Sequence, residues 1–351
     1  MPQTLPQALL RQAHIRGSAI ALRYKRLGIW HERSWSEVAR EVSQLAAALH
    51  QRSLGRDDDL LIISQARPEA LLLALAAQWL GASVTLLDPE RDNQALLNVL
   101  RPRFVIVQDL DTLQQLRERD VVVFLDGRGL SQYPDAGLID YADLRTDAPP
   151  PAHTPQPDAT AFVFHAETTL RLTHAQLLVG ARALVDREHL GADDEALAAR
   201  VFAASGQARY LLAPWLHAGF GLNFPEALAT RDTDRRELGP TLVLGTRGSY
   251  ARLEQWVRER LPLPGTFSHR VYRWGMQPSP SPLRRWLGHW LVRRPLLDVL
   301  GMSRLRVPLL VGPALNPDSA AFFGALGICP GHWQEPASRH EPSDHLLPQS
   351  A

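Results

Sequence analysis

Residues 60–108 read LLIISQARPEALLLALAAQWLGASVTLLDPERDNQALLNVLRPRFVIVQ and hold the same motif three times. LLIIS (60–64), VTLLD (84–88) and RFVIVQ (103–108) are short apolar runs without polar alternation, as in strands covered on both faces. Between them, 68–80 and 92–100 have helical length and composition, which suits crossover connections between parallel strands. The expected fold is therefore α/β, with mostly parallel sheets flanked by helices.

The pattern extends both ways. Upstream, Ser34-Trp35-Ser36-Glu37 caps a helix over 36–50, with Val38, Val42, Leu45, Ala46 and Leu49 on one face. Downstream, a helix over 110–119 leads to the strand DVVVFLD (120–126). Five prolines in DAPPPAHTPQPDA (147–159) disfavour helix and central strand and suggest a linker. Beyond it come a strand at 161–165, a helix at 173–190, a helix near 193–200, a strand at 241–245, a helix at 249–260 and a strand near 307–311. The expected division is a first α/β subdomain (1–146), the linker (147–159), a second α/β subdomain (160–335) and a disordered Pro- and Ser-rich tail (336–351).

Composition narrows the class. The 351 residues are 45% apolar with formal charge +1, so a sizeable core is affordable and nothing draws the chain to nucleic acid. A lone cysteine, Cys329, rules out a disulfide framework within the chain and fits a reducing, cytoplasmic compartment. No stretch reaches the length of apolar sequence that spans a bilayer.

AFVFHAETTLRLTHAQLLVG (161–180) carries a strand into a turn and then a helix, the setting of many phosphate-binding loops. Such loops use glycine to bring backbone N–H groups close to phosphate. Here His165, Ala166 and Glu167 form the turn, and Lys25 is the sole lysine in the sequence.

ALRYKRLGIWHERSWSEVAREVSQLAAALH (21–50), GRDDDLLIIS (55–64) and RPEALLLALAAQWLGASVTLLDP (67–89) together resemble the N-terminal part of AMP-forming acyl-CoA synthetases, adenylate-forming ligases, of the long-chain fatty-acid type. Leu172-Thr173-His174, PWLHAGFG (214–221), GPTLVLGTRGSYARLEQWV (239–257) and LRVPLLVGPALNPDSAAFFGALGI (305–328) are similar, in the same order, to later motifs of that family. The resemblance implies the fold of the large N-terminal domain with the C-terminal domain absent. It also implies nucleotide-binding remnants at Thr168, Thr169, Thr173, His174, Gly312 and Gln334, a substrate pocket at His217 and Gly219, and a metal-side carboxylate at Glu335. The loop's glycines, proline and lysine are missing, and GHWQE (331–335) stands for the family's Y-G-x-T-E.

Simpler readings stand beside these. Thr173 can be a plain helix N-cap, His217 a packed histidine and Glu335 a solvated carboxylate. Asp57-Asp58-Asp59 reads better as a turn than as a metal cluster. PLRRWLGHWLVRRPLLDVL (282–300) reads either as a core helix whose arginines reach outward or as a helix at a membrane interface, which would place the protein peripherally at the inner face of a membrane.

The expectation is a degenerate acyl-CoA-synthetase-like protein, a pseudoenzyme that binds an acyl group (fatty acid or acyl-CoA), a nucleotide or a protein partner without completing the ligase reaction. One alternative is an active AMP-forming long-chain ligase that uses ATP and Mg²⁺, with phosphate contacts moved to arginines such as Arg171 and Arg209 or a C-terminal domain supplied in trans. The other is a non-catalytic scaffold subunit.

Overall fold

The computed structural model describes residues 2–116, 121–128, 138–144, 146–152, 155–165, 168–199 and 205–333. The strands, in chain order, are β1 (Ile20–Arg26), β2 (Ile29–Ser34), β3 (Asp59–Ile63), β4 (Ser83–Leu87), β5 (Phe104–Val107), β6 (Val121–Phe124), β7 (Leu138–Asp140), β8 (Thr160–His165), β9 (Thr169–Thr173), β10 (Glu195–Leu197), β11 (Gly221–Phe224), β12 (Leu242–Thr246), β13 (Val307–Val311) and β14 (Gly331–Trp333). Among the described residues the chain forms two compact units, the first built from residues up to Asp193 together with Ala198–Phe224, the second from Asp194–Leu197 and residues 225–333.

The first unit holds a sheet of order β7-β6-β5-β3-β4-β8-β9, parallel except for the antiparallel β8–β9 hairpin. The three runs of 60–108 are its centre, and Leu60 to Ile63, Val84 and Phe104 to Val107 are buried because helices cover both faces. Helix Pro68–Trp79 is apolar all round and packs against helices Trp35–Gln51 and Leu5–Arg16. A capping box opens helix Trp35–Gln51: the Glu37 N–H donates to Ser34 Oγ at 3.3 Å and the Ser34 N–H donates to Glu37 Oε2 at 2.7 Å. In the same unit β1 pairs parallel with β11 and antiparallel with β2. Trp35 stacks on Trp215 with ring centroids 4.8 Å apart, both fully buried.

A charged cluster joins three further pieces of this unit. Glu41 accepts from the Tyr141 hydroxyl at 2.8 Å and pairs with Arg33 at 2.8 Å. Burial, with Glu41 second, pushes the Tyr141 phenol well above its usual value. Burial pulls the Arg33 guanidinium down, but Glu41, Tyr141, Tyr24 and Glu69 together hold it above its usual value.

The second unit carries four parallel strands in the order β14-β13-β12-β10. Its core packs Tyr250, Leu253 and Val257 of helix Arg247–Arg258 against Leu310, Phe322 and Phe323. Tyr250 meets Phe323 edge to face at 5.1 Å.

Several sequence expectations change. EAL (195–197) is strand, not helix: the Glu195 N–H donates to Thr241 Oγ1 at 2.9 Å, Thr241 Oγ1 donates to Asp194 at 2.7 Å, and Arg306 pairs with Asp194. These long-range ties override the helix preference of the local alanines. The expected strand-to-helix turn at 166–172 contains β9, whose Leu172 is buried. The helix at 110–119 is a single turn, Leu110–Leu113, within an Asp109–Thr112 capping box; residues 117–119 lie outside the described ones. The proline-rich 147–159 stretch runs inside the first unit and leads into β8 of the sheet begun by β3–β7. The segment 282–300 is a core helix only in its last turns: Leu283, Trp286, Trp290 and Leu291 are exposed, whereas Leu300 is buried in the core and Leu296 and Leu297 pack against it. It comprises two helical stretches, Pro282–Gly288 and Arg294–Leu300, joined by a π-turn at His289–Arg293, just ahead of Pro295. The 336–351 tail lies outside the described residues.

Removing one member of a buried ion pair strands the other, so Glu41→Ala is expected to cost about 3–5 kcal/mol, whereas Tyr141→Phe, which removes one hydrogen bond, costs about 1 kcal/mol. Urea unfolding of the two variants beside the parent measures both.

Candidate functional site

Open α/β sheets bind ligands beyond the C-terminal ends of their parallel strands, so these ends are where the sequence-derived residues matter. In the first unit that edge includes the connection from β8 to β9. Thr168 is exposed, and Thr169 Oγ1 lies 3.3 Å from His165 Nδ1. Ala166 and Glu167, between them, lie outside the described residues.

Thr173 and His174 are occupied with holding the backbone. Thr173 caps helix His174–Glu188, accepting from the Gln176 N–H at 3.2 Å, while Gln176 Oε1 accepts from the Thr173 N–H at 3.0 Å. His174 is 1% exposed, and its Nδ1 accepts from the Leu5 N–H at 3.3 Å, at the start of helix Leu5–Arg16. Burial pushes its pKa down to about 4, so the ring is neutral and its Nδ1 serves as an acceptor.

His217 and Gly219 end helix Ala213–Ala218. Gln12 Nε2 donates to the carbonyls of Leu216 and His217 at 3.0 and 2.9 Å. Gly219 has φ +79°, and a Cβ there would stand 2.7 Å from Arg16 Nε and from Gln12 Oε1. The glycine is therefore required both by its left-handed backbone and by the close approach of helix Leu5–Arg16. The His217 ring is half-buried, and its pKa is lowered by burial and then by Arg11.

The first unit's sheet carries polar residues in neighbouring strands, with Asp59 opposite Ser83 and Thr85 two residues on, and the apolar Val163 separates Thr85 from Arg171. Ser83 Oγ donates to Asp59 at 2.8 Å. Burial raises the Asp59 carboxyl above its usual range, partly offset by its hydroxyl bonds, and burial lowers His165. Arg171 lines a cavity of about 380 Å³ with Arg56, Gln156 and Thr160. This cavity opens at the N-terminal ends of β4 and β8, the end of the sheet opposite the β8–β9 connection. Asp57 and Asp58 form a turn, Asp58 accepting from the Gly55 N–H at 2.8 Å.

In the second unit, three residues meet at the C-terminal ends of β12, β13 and β14. Gly312 has φ +85°, and its carbonyl lies 2.5 Å from His332 Nε2. Two residues on, Ala314 O accepts from Arg247 Nε at 2.6 Å. Arg247 begins the helix after β12, where Thr246 and Ser249 form a capping box. The sequence signal for His332 is its place in GHWQE, beside Glu335. Gln334 and Glu335 lie outside the described residues, and among the described residues no three His, Cys, Asp or Glu side chains gather as a metal site would require.

Solved structures share this fold at low identity. One is a putative long-chain-fatty-acid CoA ligase from Rhodopseudomonas palustris (TM-score 0.65, 16% identity, 92% of this chain and 72% of that one). Another is the acetoacetyl-CoA synthetase of Streptomyces lividans (0.69, 16%, 92% and 49%). A third is a fatty acyl-adenylate ligase from L. pneumophila in complex with acyl adenylate and pyrophosphate (0.65, 10%, 93% and 53%). A curated relative, the fatty acid–[acyl-carrier-protein] ligase MmaC of Mycobacterium marinum, is 38% identical over 88 residues, which are 25% of this chain and only 16% of that ligase.

Because His174 is neutral in the fold and its pKa there lies below that of the unfolded chain, the unfolded state binds the extra proton as pH falls from about 6.5 towards 4. Its contribution is fully present above that range, and roughly 3 kcal/mol is lost across it. Urea midpoints taken through the window are expected to fall more steeply for the parent than for His174→Asn, which keeps an acceptor for the Leu5 N–H without the titration.

Residues 9–333 match the AMP-binding enzyme family; with the fold of its N-terminal domain in place, the chain belongs to that family.

Proposed function

We propose that the chain is a degenerate AMP-binding acyl ligase: it keeps the fold that presents a fatty acyl substrate and does not carry out the adenylation step. The carrying observation is the β8–β9 connection. Adenylation places growing negative charge at the α-phosphate, and preorganised donors must meet it. Here HAETT (165–169) supplies no glycine to turn N–H groups inward and no lysine, and it adds a carboxylate at Glu167. The sole lysine, Lys25, sits on β1 over the Trp30 ring at 5.8 Å.

The neighbouring pattern residues support the same reading. Thr173 and His174 spend their polar atoms on a helix cap and a backbone N–H. Arg171, the nearest arginine in sequence, lines the cavity at the other end of the strands. The acyl class rests on the relatives, whose names specify fatty acids. A protein partner belongs to the same proposal, as a route by which an acyl-loaded chain would be used.

Calorimetric titration with ATP–Mg²⁺, a long-chain fatty acid and its acyl-CoA, followed by a pyrophosphate assay, tests it. The expected result is acyl binding with no pyrophosphate released. Release of pyrophosphate from fatty acid and ATP overturns the reading and establishes a working ligase. Absence of binding to any of the ligands overturns the acyl assignment and favours a scaffold role.

A further inference from the structure

The connection from β12 to β13 runs from residue 246 to residue 307, although the two strands are neighbours in one sheet. Helix Arg247–Arg258 begins the crossover and supplies Tyr250, Leu253 and Val257 to the core, to which Leu296, Leu297 and Leu300 return at its end. The remainder folds into a second layer: helix Phe267–Met276 crossing the helical stretch Pro282–Leu300. The crossing is built on glycine. A Cβ on Gly275 would come within 2.4 Å of Val292 Cγ2, and one on Gly288 within 3.3 Å of the Gly275 Cα. Arg293 fastens it, donating from Nε to Gly275 O at 3.0 Å and from Nη2 to Gln277 O at 3.4 Å.

With backbones this close, the buried part of the pair is narrow and the outer faces go uncovered. Leu283, Trp286, Trp290 and Leu291 follow helical spacing, and their exposures run from 49% for Trp290 to 66% for Leu283; Phe267, on the partner helix, is 73% exposed. Polar-faced surface helices do not present such residues without a use for them.

Charge separates the layer from the rest of the molecule. Residues 261–297 contain six arginines (Arg270, Arg273, Arg284, Arg285, Arg293 and Arg294) and no aspartate, glutamate or lysine. The whole chain carries a formal charge of +1. Guanidinium groups lie against the rings, Arg294 over Trp290 at 4.9 Å and Arg284 over Trp274 at 5.6 Å. Tryptophan and leucine flanked by arginine, with the first acid of the stretch only at Asp298, is the composition that places apolar side chains at the headgroup–acyl boundary and cations at lipid phosphates.

We infer that the outer face of the helical pair, residues 267–294, docks on the surface of an anionic lipid bilayer, with Phe267, Leu283, Trp286, Trp290 and Leu291 entering the interface and the exposed arginines, among them Arg285 and Arg294, contacting headgroup phosphates. Attachment is peripheral: no helix among the described residues is long and apolar enough to cross a membrane. The inference is independent of whether the chain adenylates anything.

Co-sedimentation of the full chain with vesicles of phosphatidylcholine alone, and of phosphatidylcholine with about 30 mol % phosphatidylglycerol, tests it. Binding is expected with the anionic vesicles only, weakening as salt is raised. Arg285→Glu/Arg294→Glu and, separately, Trp286→Ser/Leu291→Ser are expected to weaken it by about tenfold or more. These side chains are exposed, and circular dichroism confirms that each variant is folded. Equal binding to neutral and anionic vesicles, or no binding to either, overturns the inference. So does a stable dimer that Trp286→Ser/Leu291→Ser dissociates while vesicles are ignored, because the face then belongs to a second copy.

Discussion

The stack of Trp35 on Trp215 is the contact on which the first unit's architecture depends. Trp35 is the first residue of helix Trp35–Gln51, so the stack fixes where that helix starts, and the capping box at Ser34 fixes the direction in which it leaves β2. Trp215 reaches further, since its indole N–H donates to Ala21 O at 2.9 Å and so ties helix Ala213–Ala218 to β1. Gln12 and Gly219 then let helix Leu5–Arg16 lie against the same short helix. An aromatic pair of this kind adds about 0.5–1.5 kcal/mol beyond the area it buries, but its larger effect is to allow one arrangement of four elements and no other.

This arrangement changes what the family pattern means in this chain. PWLHAGFG keeps its residues for reasons of packing: a tryptophan that stacks, backbone carbonyls that accept from Gln12, and a glycine at a left-handed position. Thr173, His174 and Thr241 likewise spend their polar atoms on backbone groups or on a neighbouring carboxylate. Matching positions therefore report the fold reliably.

The sheet was legible because strands covered on both faces must be apolar throughout, and β3, β4 and β5 are. Helix Trp35–Gln51 was legible from its capping box and its single apolar face. What the sequence hid was set at a distance. EAL at 195–197 is alanine-rich and locally helical, but its conformation is decided by Thr241 and Arg306, far along the chain. β9 was hidden because its five residues end on the cap of the following helix. Helical spacing in 282–300 cannot tell whether its apolar residues meet core or solvent, and here the glycine crossing leaves Leu283, Trp286, Trp290 and Leu291 outside while Leu300 enters the core. The link from Gly312 to His332 was not legible, because it depends on β13 and β14 being neighbours.

The brief passage of residues 194–197 through the second unit bears on how the chain can be cut and how it is made. A fragment beginning at Pro225 would lack β10 and with it the Asp194 carboxylate that receives Thr241 and Arg306, leaving a sheet edge open and an arginine without its partner. A fragment ending at Asp193 would lack β11, which β1 pairs with. On the ribosome, β1 waits for a strand some two hundred residues later and β10 waits for β12, so both units close late and through contacts of high sequence separation. Dissection by limited proteolysis or by expressing halves therefore cuts across folding units at any single point between Asp193 and Pro225.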